Sequence, residues 1–269
     1  MIAYICPTCG IQQAPSDTLP SNCPICEDER QYVPEMGQVW TTLDALQASH
    51  HNFVREAEPN LYEVGAEPRI AIGQRALLIK SAEGNILWDC TPLITDEAIE
   101  QINALGGISA IALSHPHFLS SIVEWSAAFG NCPIYVHAAD REWVQRPAPQ
   151  YVYWEGTTLQ LQQNVTLINC EGHFAGSSAL LWADGADGKG ALLTGDTVYV
   201  VPDRRFVTFM YSFPNMVPLR ASAVRRIGER LNPYQFGRIY AAWPHTVLKS
   251  GGKAAVERSV ERYIKAIEE

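Results

Sequence analysis

Two histidines one residue apart, in Ser114-His115-Pro116-His117-Phe118-Leu119-Ser120, constrain this chain more than any other stretch. They follow an apolar run, Ile108 to Leu113, of the length expected for a buried strand. Two imidazoles so spaced, on a loop leaving a strand, suit a shared metal ion. The pattern recurs elsewhere in the chain. Asp89 ends the run Asn85-Ile86-Leu87-Trp88, and Gly172-His173 follows Val165–Asn169. Thr194-Gly195-Asp196-Thr197 follows Gly190–Leu193, and Trp243-Pro244-His245 follows Ile239–Ala242. Each places a ligand-type side chain just past a strand's C-terminal end. In layered sheet proteins such ends gather along one edge, where ligands bind. Three histidines and an aspartate make a nitrogen/oxygen donor set for a borderline divalent metal.

A second donor set occupies the first 35 residues. Cys6-Pro7-Thr8-Cys9 and Cys23-Pro24-Ile25-Cys26 are separated by 13 residues. A Cys-x-x-Cys turn converges two thiolates on one ion, and a second turn completes a tetrahedral four-sulfur site. A segment this short cannot fold on its own core, so the metal supplies folding energy. Structural zinc on Cys6, Cys9, Cys23 and Cys26 is the expected occupant, with rubredoxin-like iron as its rival. The segment holds five acids against Arg30, a net of −4 before thiolates are counted. That balance disfavours nucleic acid and favours packing or subunit contact. The expected division is a zinc-ribbon-like segment at 1–35 and a larger domain at 36–269.

Composition narrows the partners. The formal charge is −9, whereas nucleic-acid and anionic-membrane binders need basic surface. No apolar run approaches the roughly 20 residues that span a bilayer. Met1-Ile2-Ala3-Tyr4-Ile5-Cys6 lacks the basic-then-apolar order of a secretion signal. Seven cysteines, four of them in metal-type pairs, fit a reducing cytoplasm better than a disulfide framework. The expected partner is a small-molecule substrate, with neither nucleic acid nor membrane, and a homo-oligomer stays open.

Strands are expected at 76–80 and 86–88 as a hairpin around Glu83-Gly84-Asn85, then at Ile108–Leu113, Pro133–Val136, 158–168, 178–183, 190–194 and Arg238–Ala242. Helices are expected after Thr95, from about Ser120 to Phe129, through Val224, Ile227 and Leu231, and over Lys253–Ile267. Ser120 and Ser121 read as the N-cap pair of the second helix. A meander followed by alternating strands and helices indicates layered α/β architecture.

The order of these motifs resembles the metallo-β-lactamase-fold superfamily over about residues 60–250. That family's pattern runs His-x-His-x-Asp-His, Gly-His, Thr-Gly-Asp and a late His. The resemblance implies a four-layered αββα sandwich carrying the small N-terminal appendage. It implies that His115, His117 and His173 hold a first metal, that Asp196 bridges or completes it, and that His245 is the late histidine. It gives Asp89 a supporting role outside the ligand set. Where the family's acid and histidine for a second metal stand, this chain has Leu119 and Ser120. Leucine cannot ligate and a neutral serine is a weak ligand, so the second site keeps only Asp196 and His245.

The leading expectation is therefore a metal-dependent hydrolase with one active-site zinc or iron. Asp196 orients water and His245 donates a proton to an ester, thioester, lactone, lactam or phosphoester leaving group. The alternatives are a mononuclear iron oxidoreductase similar to persulfide dioxygenases, and a non-enzymatic binding module with a degenerate site. His50, His51 and His137 read as packed or surface residues. Residues 203–238 hold seven arginines and two acids. Arg204 and Arg205, with Phe209, Tyr211 and Phe213, are candidates to line a pocket for an anionic, partly apolar substrate. Cys90, Cys132 and Cys170 read as small buried apolar residues.

Overall fold

Ala76–Ile79 and Ile86–Trp88 are buried at every position, as expected for strands covered on both faces. They form the middle of a seven-stranded sheet in a computed structural model that describes residues 1–268. The chain divides into two units, one of Met1–Val136 with Arg141–Tyr153, the other of His137–Asp140 with residues 154–268.

The first unit is built on strands β1 (His51–Glu58), β2 (Leu61–Glu67), β3 (Ala76–Ile79), β4 (Ile86–Trp88), β5 (Ala110–Ala112), β6 (Ile134–His137) and β7 (Tyr151–Trp154). They are neighbours in that order. β1 to β4 make an antiparallel meander, and β4, β5 and β6 run parallel. Parallel neighbours need crossovers, and helices Asp96–Ala104 and Ile122–Ala128 supply them. The first of these starts where expected: Thr95 Oγ1 accepts from the Ala98 amide at 3.3 Å, with Asp96 and Glu97 in the first turn. The second does not use the expected cap. It starts at Ile122, and Ser121 Oγ instead donates to the Pro92 carbonyl at 2.7 Å. Trp88 pairs with Ala112, so Asp89 and the chain leading to His115 leave the same end of the sheet.

Residues 1–35 are tied to this unit by backbone bonds and packing. Ile5 pairs with Thr41 and packs with Leu46, Ile70 and Leu93. The Ala14 amide donates to Gln145, and Arg30 lies over the Trp143 ring.

The second unit holds a six-stranded sheet. Its antiparallel part is β8 (Thr158–Gln162), β9 (Val165–Asn169), β10 (Ser178–Trp182) and β11 (Ala191–Gly195). The run expected as one strand at 158–168 is thus a hairpin. Two short hairpins follow, β12 (Tyr199–Val200) with β13 (Val207–Thr208), and β14 (Met210–Ser212) with β15 (Val217–Pro218). β16 (Arg238–Ala241) then lies parallel to β11, and β17 (Val247–Leu248) completes the edge. Helix Ala221–Leu231 buries Val224, Ile227 and Leu231 as its spacing predicts, each burial worth about 1.5–3 kcal/mol. They pack with Leu192, Phe209, Ile239 and Val256 of the closing helix Gly252–Glu268. Gly195 pairs with Ala241, so Asp196 and the turn carrying His245 leave one end of this sheet.

The mixed α/β fold with two large sheets is the expected class. β1 and β2 were not foreseen, because Arg55, Glu56, Glu58 and Glu63 break the apolar alternation that marks a strand. No helix among the described residues is long and apolar enough to cross a membrane.

Candidate metal centres

The four N-terminal cysteines meet as their spacing predicts. Each Cys-x-x-Cys turn closes on itself: the Gly10 amide donates to the Cys6 carbonyl at 2.7 Å, and the Glu27 amide to the Cys23 carbonyl at 3.0 Å. Cys6 Sγ lies 3.6 Å from Cys26 Sγ, and Cys9 Sγ lies 3.6 Å from Cys23 Sγ. These are not disulfide distances, which are about 2.05 Å. A tetrahedral site with metal–sulfur bonds of about 2.3 Å has edges of about 3.8 Å. All four side chains are buried, and the Gln38 amide donates to Cys6 Sγ at 3.2 Å. The hydrogen bond from Cys23 pulls the Cys6 thiol down, while burial pushes Cys9 up. Four thiolates so close need a cation, and the donor set fits one.

The first unit presents His115 and His117. Asp89 sits at positive φ of 66° and turns its carboxylate onto the loop, where Oδ1 accepts from the Ser114 amide at 2.7 Å. Ser114 Oγ lies 2.9 Å from His115 Nδ1. That contact occupies Nδ1, so Nε2 is the nitrogen that would face an ion. The next residues make one tight turn, Pro116–Phe118, and hold the two imidazole centroids 4.9 Å apart. Both histidines are buried. Leu119 and Ser120 are buried too, and Ser120 Oγ has no hydrogen-bond partner among the described residues.

The second unit presents His173 and Asp196. Gly172 carries φ of 96°, and a Cβ there would press on Leu219 and Ile227 at 3.1 Å, so this turn favours glycine. His173 Nδ1 lies 3.3 Å from the Met210 carbonyl, to which its N–H donates. Nε2 is thereby aimed elsewhere, 3.9 Å from Asp196 Oδ2. Asp196 follows β11 in a turn closed by the Thr197 amide on the Thr194 carbonyl at 3.0 Å.

His115, His117, His173 and Asp196 are the buried nitrogen and oxygen donors that could hold a metal ion. Three imidazoles and a carboxylate, all buried, fit zinc or iron.

His245 stands outside that group, on an exposed turn where its carbonyl accepts from Arg204 at 2.6 Å. His137 packs edge-on against Trp154, and His51 is solvent-exposed beside Glu67. The expected pocket wall needs correction. Phe209 is fully buried in the second unit's core, Tyr211 packs against that core, and Arg205 pairs with Asp203 in solvent. Phe213 reaches His173, with ring centroids 6.1 Å apart. Tyr199 and Trp243 join it, and neither was singled out from sequence, although Trp243 directly precedes Pro244-His245. Cys90, Cys132 and Cys170 are buried as expected. Burial pushes Cys132 up to about 11 and Cys170 up to about 12.

This architecture matches solved metallo-β-lactamase structures. VMB-1 superposes with a TM-score of 0.60 at 12% identity, covering 81% of this chain and 98% of that one. The DIM-1 metallo-β-lactamase gives 0.60 at 10% identity, covering 81% and 98%. FIM-1 from Pseudomonas aeruginosa, in its mono-zinc form, gives 0.56 at 11% identity, covering 79% and 96%. The protein therefore has the metallo-β-lactamase fold, with a His/Asp donor set and an N-terminal four-cysteine cluster. No family model matches the chain. The chain belongs to the family of "Uncharacterized protein YmaE" of Bacillus subtilis (strain 168), to which it is 47% identical over 266 residues, covering 98% of this chain and 96% of the relative.

Proposed function

We propose that the protein is a metal-dependent hydrolase with one catalytic ion, held by His115, His117, His173 and Asp196, and one structural zinc on Cys6, Cys9, Cys23 and Cys26. The observation that carries this reading is the set of those four buried nitrogen and oxygen donors at strand ends, with a Leu119-Ser120 pair that adds no good ligand. Zinc or iron held there would supply a Lewis acid and a bound water of lowered pKa. The chain's own residues do the rest. Ser114 and the Met210 carbonyl fix the rings of His115 and His173. Asp196 accepts a hydrogen bond from the attacking water. His245 leaves the sheet at the same end as Asp196 and donates a proton to the leaving group. The substrate is a small ester, thioester, lactone or phosphoester, and the reduced cysteines suit a cytoplasmic setting.

Elemental analysis of the purified protein tests the reading together with hydrolysis of an ester and thioester panel before and after chelation. Two zinc per chain and activity lost with the second metal are expected. One zinc and one iron would turn the assignment to oxygen chemistry. A single metal accounted for by the cysteines would make the protein a binding module. Full hydrolysis by metal-free protein would refute the mechanism.

A further inference from the structure

Three half-buried aromatic rings stand beside His173, contributed by three separate stretches of the second unit. Phe213 lies 6.1 Å from the His173 ring, Tyr199 lies 4.9 Å from Phe213, and Trp243 lies 5.6 Å from Tyr199 and 6.3 Å from Phe213. A ring that serves the core sinks into it, as Phe209 does at 0% exposure. These three keep part of their surface in water while packing on one another, and Phe213 packs on His173. A grouped, partly exposed apolar surface beside a reactive site marks a place where a ligand binds. Tyr199 lies three residues past Asp196, at the start of strand β12. Arg204 donates to the Val201 and His245 carbonyls, at 2.7 and 2.6 Å.

We infer that Tyr199, Phe213 and Trp243 form a binding wall for a flat, aromatic-sized apolar group of the substrate, next to the bond to be broken. The inference rests on the reading of His173 and Asp196 as ligands of the catalytic ion. Rigid rings give large contact area at little entropic cost and prefer edge or offset contacts with a further ring. An acetyl group would leave this wall in water, whereas a phenyl ring would cover it.

Calorimetric titration of the metal-loaded protein with phenylacetate and with acetate tests the wall, because the two acids share a carboxylate and differ in the ring. Phenylacetate is expected to bind at least about tenfold more tightly. Phe213→Leu and Trp243→Leu should each lose most of that advantage with metal content unchanged, and Trp243→Phe should retain it. Equal affinity for the two acids in the parent protein overturns the inference, as does an advantage that survives both leucine variants. Phenylacetyl and acetyl thioesters are assayed in parallel. Ring-dependent binding without hydrolysis of any ester or thioester counts against the hydrolase and leaves the wall standing. Hydrolysis with equal binding of the two acids does the reverse.

Discussion

The main-chain amide of Gln12 donates to the carbonyl of Leu119 across 3.3 Å. Gln12 lies three residues past Cys9, and Leu119 lies two past His117, so the bond ties the four-cysteine turn to the loop carrying the histidine pair. The Gln12 side chain is buried and reinforces the tie. Its Nε2 donates to Glu124 at 3.1 Å, and Arg146 donates to both Gln12 and Glu124. Gln12→Ala keeps the main-chain bond and strips the side-chain one, leaving Glu124 and Arg146 short of a partner. A loss of about 1–3 kcal/mol is expected in urea unfolding, with metal content unchanged. An unchanged midpoint would show that this polar group contributes nothing to the docking of the N-terminal segment.

Removing one sulfur reaches the same loop by another route. Cys9→Ser should lower the metal content by one per chain, because a four-thiolate site rarely survives as three. The Gln12 amide should then exchange with deuterium faster, since its turn is no longer pinned. A variant that keeps its metal and its exchange protection would mean that Cys9 does not ligate.

Asp89 is predicted to act on metal affinity without touching the ion. Its carboxylate holds the Ser114 amide, and Ser114 in turn meets His115 Nδ1. Asp89→Asn tolerates the positive φ but weakens the acceptor. Metal affinity at the histidine site should fall about 10–100-fold, read by competition with a chromogenic chelator. Ser114→Ala should fall in the same direction. Parent-like affinity in both would remove the support role from this pair.

The candidate donors stand out in the sequence because strand-end motifs need only local spacing: His115 and His117 share one turn, and Asp196 directly follows one strand. The pairing of those ends follows from parallel register, Trp88 with Ala112 and Gly195 with Ala241. The aromatic wall was not legible, because Tyr199, Phe213 and Trp243 meet only after hairpins β12–β13 and β14–β15 and the turn after β16 have folded. Phe209 and Phe213 look alike in sequence, yet one enters the core and the other reaches His173. Ser121 illustrates a local rule losing to a tertiary partner: its hydroxyl prefers the Pro92 carbonyl, 29 residues away, to the helix it precedes.

The buried thiol of Cys170 gives the fold a defined alkaline limit. Burial raises it from 9.0 to about 12, which means that the folded state holds this proton more tightly than the unfolded chain does. Its contribution is therefore intact below pH 9, where both states are protonated. It is lost as pH rises from 9 toward 12, because only the unfolded chain can then release the proton. Each pH unit in that window costs up to about 1.4 kcal/mol. Cys132, raised to about 11, adds a smaller loss in the same direction. Urea unfolding of the parent protein and of Cys170→Ala at pH 8 and pH 10.5 isolates the effect. The alanine variant is less stable at pH 8 because it leaves a small cavity beside Ile168 and Ala179. That gap should narrow by about 1–2 kcal/mol at pH 10.5. A gap of constant size across the two pH values would mean that Cys170 ionises alike in the folded and unfolded states.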